Sequence, residues 1–327
     1  MQRRDFITLL GGAAAAWPLA ARAQQGRMPV VGYLHSVSPA TQDANVAALR
    51  RGLGEQGLVE GPNYAIEYRF ANNDYNRLPE LAADLVRREV AVILALGGAF
   101  VTQAAKAATT KIPIVFVEAQ DPVATGAVAS LNRPGGNVTG IAFLAAELGP
   151  KRLGLLKELV PAASHYALLV NPNDPATESI VAGLRMAAGS IGREIEVFAA
   201  GSAREIDQAF AELVRKGSDA LVVGANSLLA NRGVQIATLA AIHRLPAIYY
   251  TRANVEVGGL MSYGANIPDA VHQGAAYVAR ILKGEKPADL PVIQSAKFEF
   301  VLNLQTARSL GLDVPPTMLT LADEVID

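Results

Sequence analysis

The chain has 327 residues, of which 51% are hydrophobic, 18% charged and 6% aromatic. This composition excludes a disordered, collagen-like or coiled-coil protein and predicts about two domains at roughly 150 residues per domain. Lys and Arg number 29 against 30 Asp and Glu, so no charge excess indicates nucleic acid or an acidic membrane as partner. The absence of cysteine excludes disulfides, thiolate metal sites and cysteine nucleophiles.

The first 23 residues have the pattern of an export signal. Arg3 and Arg4 form a twin-arginine head, an uncharged stretch covers residues 6–21, and Ala21-Arg22-Ala23 has the small-x-small form of a signal-peptidase site. The alternative is a membrane anchor, but this stretch contains glycine and proline and is shorter than the ~20 apolar residues that span a bilayer. We therefore expect export by the twin-arginine pathway to the periplasm, with residues 1–23 removed.

Short apolar runs then alternate with segments of helical period. Val30–Leu34, Ala91–Leu96 and Ile112–Val117 predict buried strands, and Leu78, Leu81, Leu85 and Val86 mark one face of a helix between two of them. This alternation is typical of a parallel sheet covered by helices. The sequence therefore predicts an α/β fold.

A second series of strands and helices begins after residue 150. Ala91–Leu94 corresponds to Ala220–Val223, and Ile112–Phe116 corresponds to Leu245–Tyr249, each pair in the same order. A chance match is the alternative, because any α/β protein repeats every ~30 residues. The proline shared by the second pair favours duplication and hence two lobes of one architecture.

The last elements follow after both lobes are complete. A helix over Asp269–Leu282 must return to one of the lobes, which predicts several crossings between lobes and a hinge. We assign residues 28–142 and about 256–290 to the N-terminal lobe. Residues 143–255 and about 296–327 form the predicted C-terminal lobe.

The chain lacks the common sequence motifs of catalysis and metal binding. There is no Gly-x-Ser-x-Gly elbow, no Gly-x-Gly-x-x-Gly after the first strand and no phosphate-binding loop. The four histidines are scattered without metal-ligand spacing. His35 follows the first strand, where contact with ligand or solvent is favoured over acid or base catalysis. We expect no enzyme activity, no cofactor and no metal.

Ligands of open parallel sheets bind beyond the carboxyl ends of the strands. The candidate ligand-binding residues at these ends are Ser36, Gly97, Gly98, Ala99, Asp121, Asn171, Asn226, Tyr250 and Tyr263. Gly97 to Ala99 either cradle an anion at a helix N-terminus or form a simple turn. Ser36, Asn171 and Asn226 either hydrogen-bond a ligand or cap turns and helices.

The other three candidates also have two interpretations. Asp121 either meets an ammonium group or opens a turn before proline. Tyr250 or the following Thr251 is favoured over Tyr249, because the repeat aligns Tyr249 with an apolar residue. Tyr263 either stacks on a ligand ring or packs at the hinge.

Several motifs resemble one bacterial family. They are the twin-arginine leader, Glu60-Gly61-Pro62-Asn63, Leu78-Pro79-Glu80-Leu81-Ala82, Asp121-Pro122-Val123, the run from Leu131 to Gly140, and Gly259-Leu260-Met261-Ser262-Tyr263-Gly264. Together they make the chain resemble the substrate-binding proteins of ABC transporters of the tryptophan/tyrosine transport type. The resemblance implies a type I periplasmic-binding-protein fold, with two Rossmann-like lobes joined by three crossovers. Glu118 departs from the family pattern, in which the segment before Asp-Pro commonly has smaller residues, glycine among them.

The resulting expectation is an exported solute-binding protein of an ABC importer. It would be a monomer that closes on a small amino-acid-like or carboxylated molecule and delivers it to a membrane permease. The alternative is a periplasmic sensor that presents ligand occupancy to a membrane receptor or kinase. A transcription regulator of the same fold is disfavoured and no nucleic-acid partner is expected, because an export signal stands where a DNA-binding helix pair would be required.

Overall fold

The structure is a computed structural model that describes residues 28–143, 148–174 and 176–327, and the predicted export signal lies outside the described residues. The N-terminal lobe is built first along the chain. Its elements are β1 (Val30–His35), α1 (Asp43–Glu55), β2 (Ala65–Phe70), α2 (Leu78–Arg87), β3 (Val92–Leu96), α3 (Ala99–Ala108), β4 (Ile114–Glu118) and β5 (Val138–Ala142).

The C-terminal lobe follows with the same alternation. Its elements are α4 (Gly149–Leu159), β6 (His165–Val170), α5 (Thr177–Ser190), β7 (Glu194–Ala199), α6 (Ala203–Arg215), β8 (Ala220–Val223), α7 (Ser227–Asn231), α8 (Gly233–Ile242), β9 (Ala247–Tyr249), α9 (Arg252–Glu256) and β10 (Met261–Ala265). The chain ends with α10 (Ile267–Leu282), β11 (Ile293–Gln294), β12 (Phe298–Asn303), α11 (Leu304–Leu310), α12 (Pro316–Leu321) and β13 (Glu324–Ile326).

Each lobe has one sheet between two layers of helices. The strand order is β11-β5-β4-β3-β1-β2 in the first sheet and β13-β12-β10-β9-β8-β6-β7 in the second. The first five strands of each lobe therefore follow one order, which confirms the predicted two lobes of one architecture. Two hydrophobic clusters cover each sheet, one on either face, as buried parallel sheets require.

Local sequence explains why these elements form. The residues of β3 read Val-Ile-Leu-Ala-Leu and all are buried, because helices cover both faces of that central strand. In α2 the buried residues Leu78, Ala82 and Leu85 share one helical face. Ser202 directly precedes helix α6 and caps it, because its hydroxyl accepts a hydrogen bond from the Glu205 amide.

The returning elements divide between the lobes differently from the prediction. Helix α10 packs on α1 in the N-terminal lobe, where the side chains of His272 and Glu55 form a 2.8 Å contact. Strand β10, however, pairs with β9 in the second sheet, so the assignment of residues 256–265 to the N-terminal lobe was wrong. The physical reason is that β10 completes the second sheet as its fifth strand, and the chain crosses to the first lobe only at Asn266.

One pair of strands in the second sheet is antiparallel, beside the parallel pairs that the fold prediction expected. Strand β12 pairs antiparallel with β10, with Met261 opposite Leu302 and Ala265 opposite Phe298. Strand β10 ends at the edge where the chain leaves for the first lobe, and β12 begins at that edge when the chain returns. It therefore has to run in the opposite direction.

A glycine on the fifth strand lets the fourth and fifth strands of each lobe approach closely. A Cβ on Gly140 would lie 2.2 Å from the carbonyl oxygen of Phe116, and a Cβ on Gly264 would lie 1.8 Å from that of Tyr250. Backbone atoms of a central strand cannot move aside as a flexible side chain can. Both positions therefore require glycine.

We expect Gly140→Ala to lower the free energy of unfolding by at least about 2 kcal/mol, because the new methyl group meets backbone in a packed sheet. Gly154→Ala is the control, since Gly154 lies on the exposed side of α4 with no atom within 4 Å of its Cβ position. That variant should gain about 0.5–1 kcal/mol from helix propensity. Urea unfolding measures both changes. An unchanged free energy of unfolding in Gly140→Ala would contradict the close approach of the fourth and fifth strands.

Candidate functional site

The candidate site is the interlobe cleft, defined as the space between the carboxyl ends of the two parallel sets of strands. On the N-terminal side Ser36 follows β1 and is fully buried. Its hydroxyl donates a hydrogen bond to the carbonyl oxygen of Gly97, 3.0 Å away. Gly97 has a φ of 97°, and a Cβ there would lie 2.2 Å from Ser36 Oγ. Glycine therefore lets the ends of β1 and β3 come together.

Helix α3 begins at the same edge. Gly98 precedes it with a φ of 108°, and the backbone amide of Ala99 donates a hydrogen bond to Oε1 of Gln120 over 3.3 Å. A helix N-terminus carries partial positive charge, so this edge is suited to an anionic group. Gly97, Gly98 and Ala99 were predicted here from the sequence. Gln120, which the loop after β4 brings back to the helix, was not.

On the C-terminal side two predicted asparagines join one hydrogen-bond network. Asn226 caps α7, because its Oδ1 accepts the amide of Leu228 at 2.8 Å, and its Nδ2 donates to Asp174. Asn171 Nδ2 donates to Asn226 Oδ1 over 3.3 Å, and its own Oδ1 accepts the amide of Asn173. Both asparagines thus have the capping roles of the alternative interpretation, and contact with a ligand stays a prediction.

The two sides of the cleft touch directly. Ser227 Oγ, at the start of α7, donates a hydrogen bond to the carbonyl oxygen of Gly97 at 2.9 Å. Asn231 Nδ2, at the end of α7, donates to Asn73 Oδ1 at 2.6 Å. Each bond joins a C-terminal-lobe side chain to the N-terminal lobe. The lobes are therefore closed on each other.

Buried aromatic and acidic groups of both lobes meet in the closed cleft. Tyr75 of the N-terminal lobe stacks on Phe100 with ring centroids 5.2 Å apart. Burial raises the pKa of Tyr75 to about 12, and the charge of Asp174 in the other lobe adds to the rise. Burial also raises the pKa of Tyr250, with further contributions from Tyr75 and Asp174. These three residues are thus within electrostatic reach of each other across the cleft.

Arg152 adds a cation to this group. It lies in the first turn of α4 and is fully buried, and its Nη1 donates a hydrogen bond to the carbonyl oxygen of Tyr263 at 3.4 Å. Burial lowers the pKa of its guanidinium to about 10, with Tyr250 acting in the opposite direction. The side chain is therefore still protonated at pH 7. A buried guanidinium is a strong partner for carboxylates.

Two predicted residues have partners within one lobe. Asp121 is exposed, and its Oδ1 accepts the amides of Val123 at 2.8 Å and Ala124 at 3.4 Å, so it forms the turn of the alternative interpretation. Tyr263 is half-buried against the C-terminal-lobe core, with its ring 6.3 Å from that of Phe298. Neither arrangement shows contact with a ligand, which stays a prediction for both.

Tyr75, Asp174 and Arg152 were not predicted from the sequence as site residues. Tyr75 comes shortly after the end of β2, and Asp174 after the end of β6, so the rule that strand ends line the cleft was sufficient to find both. No local signal identifies Arg152, because a single arginine in an amphipathic helix is usually solvated.

A buried carboxyl group lies at the edge of the N-terminal lobe. Glu118 ends β4 and is 1% exposed, and its Oε2 accepts a hydrogen bond from Thr102 Oγ1 at 2.6 Å. Among the described residues no group hydrogen-bonds its Oε1. Burial raises the pKa of Glu118 to about 7, the Thr102 bond opposes the rise, and the charge of Asp121 adds to it. The group therefore titrates near neutral pH.

The other titratable groups give little indication of catalysis or metal binding. His35 is buried, its Nδ1 accepts the amide of Val37, and burial lowers its pKa to about 3. The expected solvent contact of His35 was therefore wrong, because its ring lies between the ring of Phe70 and the backbone of Gly97, while contact with a ligand stays a prediction. Within residues 28–143, 148–174 and 176–327 no three His, Asp or Glu side chains form a group able to hold a metal ion. No helix in the same ranges has the length and hydropathy to cross a membrane.

The pKa of Glu118 predicts a dependence of stability on pH. The folded protein holds this proton more tightly than the unfolded chain, whose carboxyl has the ordinary value of 4.5. The stability that Glu118 contributes is therefore complete below about pH 4.5 and is lost as the pH rises through about 7. Relative to Glu118→Gln, the wild type should lose up to about 3 kcal/mol over this range. Urea unfolding between pH 4.5 and 8 tests this. A free energy of unfolding that changes with pH equally in the wild type and in Glu118→Gln would contradict it.

A family model and a curated relative each match most of the chain. A family model described as ABC transporter substrate binding protein matches residues 31–326. A curated relative, the tyrosine-binding protein of Clostridioides difficile (strain R20291), is 27% identical over 263 residues, which are 80% of this chain and 75% of the relative.

Two solved structures of such proteins are similar over nearly all of their length. One is an ABC domain in complex with L-Trp from Streptococcus pneumonia, with 26% identity and a TM-score of 0.81 over 90% of this chain and 100% of that chain. The other is the ligand-free, open structure of a substrate-binding protein with adhesive properties from Clostridium difficile, with 26% identity and a TM-score of 0.68 over 91% and 99%. At equal identity the TM-score is higher with the tryptophan complex than with the open structure.

The fold and the family agree. The two lobes form a type I periplasmic-binding-protein fold, which more distant proteins of the periplasmic-binding and LacI type share. The family consists of binding proteins rather than enzymes. Because its model covers residues 31–326, the chain belongs to the ABC transporter substrate-binding proteins.

Proposed function

We propose that the protein binds an aromatic amino acid, L-tyrosine or L-tryptophan, in the interlobe cleft and delivers it to the membrane permease of an ABC importer. The tyrosine-binding relative and the tryptophan complex support this ligand class. The observation that carries the proposal is the closed cleft in which Tyr75 and Tyr250 from opposite lobes meet beside Asp174 and Arg152.

The geometry suits each part of a zwitterionic aromatic ligand. The N-terminus of α3 at Ala99 and the guanidinium of Arg152 are suited to a carboxylate, because each presents positive charge in a buried setting. Asp174 can meet an ammonium, because its two oxygens accept one hydrogen bond each, from the Ala176 amide and from Asn226, and a carboxylate oxygen has a second lone pair. Tyr75 and Tyr250 supply rings that can pack against the aromatic side chain of the ligand. Closure removes water from all of these contacts and so strengthens them.

Export completes the proposal. The leader of residues 1–23 would carry the chain through the twin-arginine pathway to the periplasm, where it would act as a monomer without cofactor, metal or nucleic acid. The sensor alternative uses the same cleft with a membrane receptor or kinase as partner. Uptake of labelled tyrosine or tryptophan by cells with and without the gene separates the two, because a sensor does not change uptake directly.

Binding is tested with L-tyrosine and L-tryptophan on the purified protein. At 100 times Kd either ligand should stabilise the protein by about 2.7 kcal/mol, seen as a thermal shift. Tyr250→Leu should weaken binding roughly ten- to a hundredfold, which is the value of about 1–3 kcal/mol for a buried aromatic contact. Tyr249→Phe is the control, because Tyr249 packs in a hydrophobic cluster inside the C-terminal lobe, whereas Tyr250 joins the cluster of the N-terminal lobe. No shift with either amino acid would contradict the aromatic ligand.

Tryptophan binding has a second readout. Trp17 is the only tryptophan of the chain and lies in the predicted leader. The exported protein should therefore fluoresce through tyrosine alone until tryptophan binds, and the bound ligand should then show a blue-shifted emission fed by tyrosine excitation.

Export is tested by replacing Arg3 and Arg4 with Lys. The charge is kept but the twin-arginine motif is lost, so the uncleaved precursor should accumulate in the cytoplasm. Cell fractionation and immunoblotting measure the distribution. Unchanged export of the variant would contradict this route, although not the binding function.

A further inference from the structure

Helix α7 joins the two lobes at both of its ends. Its first residue, Ser227, bonds to the carbonyl oxygen of Gly97, and its last residue, Asn231, bonds to the side chain of Asn73. Both bonds connect one protein group to another. They therefore favour the closed arrangement by the same factor whichever ligand is in the cleft.

The acceptor on the N-terminal lobe is held in a defined position. Asn72 and Asn73 have φ values of 53° and 66°, in the left-handed region that asparagine tolerates better than most residues. The amide of Asn73 donates to the carbonyl oxygen of Ser36 at 2.7 Å, and the amide of Asn72 donates to that of Val37 at 3.2 Å. The loop after β2 is thus fixed to the end of β1, and the Asn73 side chain projects to the other lobe.

The donor helix is fixed to the C-terminal lobe in the same way. The cap residue Asn226 ties the start of α7 to Asp174, and Asn254 Nδ2 of α9 donates to the carbonyl oxygen of Ala230 at 3.2 Å near its end. A helix of five residues has little stability of its own and depends on such contacts. The two partners of the Asn73–Asn231 bond are therefore both held in place before they meet.

We propose that Asn73 and Asn231, with Ser227, form an interlobe latch that sets the lifetime of the closed state without touching the ligand. The proposal rests on the proposed function and adds the control of ligand release to it. A ligand leaves through the open state, so a latch that slows opening slows the release of every ligand alike. One such hydrogen bond corresponds to roughly a two- to tenfold effect on the opening equilibrium.

The test compares two latch variants with a matched control. Asn73→Gly removes the acceptor but keeps the left-handed backbone, and Asn231→Ala removes the donor. Asn72→Gly makes the same backbone change one residue earlier and leaves the latch intact. The dissociation rates of radiolabelled L-tyrosine and L-tryptophan are measured by a chase with unlabelled amino acid on the full chain.

Asn73→Gly and Asn231→Ala should each raise the dissociation rate roughly two- to tenfold, by one factor for both ligands, while Asn72→Gly leaves it unchanged. The dissociation rate of the double variant should be close to that of either single variant, because the two residues are partners of one bond. Unchanged rates, or a rate changed for one ligand alone, would overturn the latch. An equal change in Asn72→Gly would overturn it too.

A second measurement keeps the latch separate from the choice of ligand. Because the chain has no cysteine, spin labels can be placed by Ala107→Cys and Ala241→Cys on exposed positions of α3 and α8, in opposite lobes. Without ligand, Asn73→Gly should shift the distance distribution towards the open form relative to Asn72→Gly. Identical distributions would overturn the latch. If the wild type binds neither amino acid but Asn73→Gly still shows this shift, the proposed function alone is contradicted.

Discussion

The whole arrangement depends on the way in which the chain passes between the lobes. Two of the crossings lie side by side and are bonded to each other, because the amide of Asn266 donates to the carbonyl oxygen of Lys297 at 3.0 Å and its side chain donates to Glu299. Lys297 also pairs with Asp269 at the start of α10. These contacts hold the carboxyl ends of both sheets towards each other, so that a cleft exists at all.

The cleft that results holds several polar groups that are buried or half-buried. Asp174, Arg152, Tyr75 and Tyr250 lie together, and Glu118 lies at the N-terminal-lobe edge. Burying such groups is costly unless they are paired, and a fold that served stability alone would place apolar residues there. Protein partners offset part of this cost, because Asp174 accepts hydrogen bonds from the Ala176 amide and Asn226, and Arg152 donates one to the carbonyl oxygen of Tyr263. The zwitterionic ligand that we propose would add a positive and a negative charge to these contacts.

Contacts within the N-terminal lobe and contacts between the lobes meet at one edge of the cleft. Gly97 contributes its carbonyl oxygen to both Ser36 and Ser227, so the strand end that begins α3 also receives the other lobe. The asparagines of the C-terminal lobe position α7, and α7 meets the N-terminal lobe at each end. Residues that first look like helix caps therefore have a second role, which is to place the surface on which the lobes meet.

Periodicity and composition alone determined the strands and helices of both lobes, their repeated order and the strand ends that line the cleft, including Ser36, Gly97 and Asn226. Such features depend on neighbours along the chain, which a local pattern records. Only the tertiary structure decided that β10 closes the second sheet, that β12 runs antiparallel to it, and that Tyr75, Asp174 and Arg152 meet. Those outcomes depend on residues far apart in the chain that become neighbours when the crossings bring two lobes together, and no local pattern contains that information.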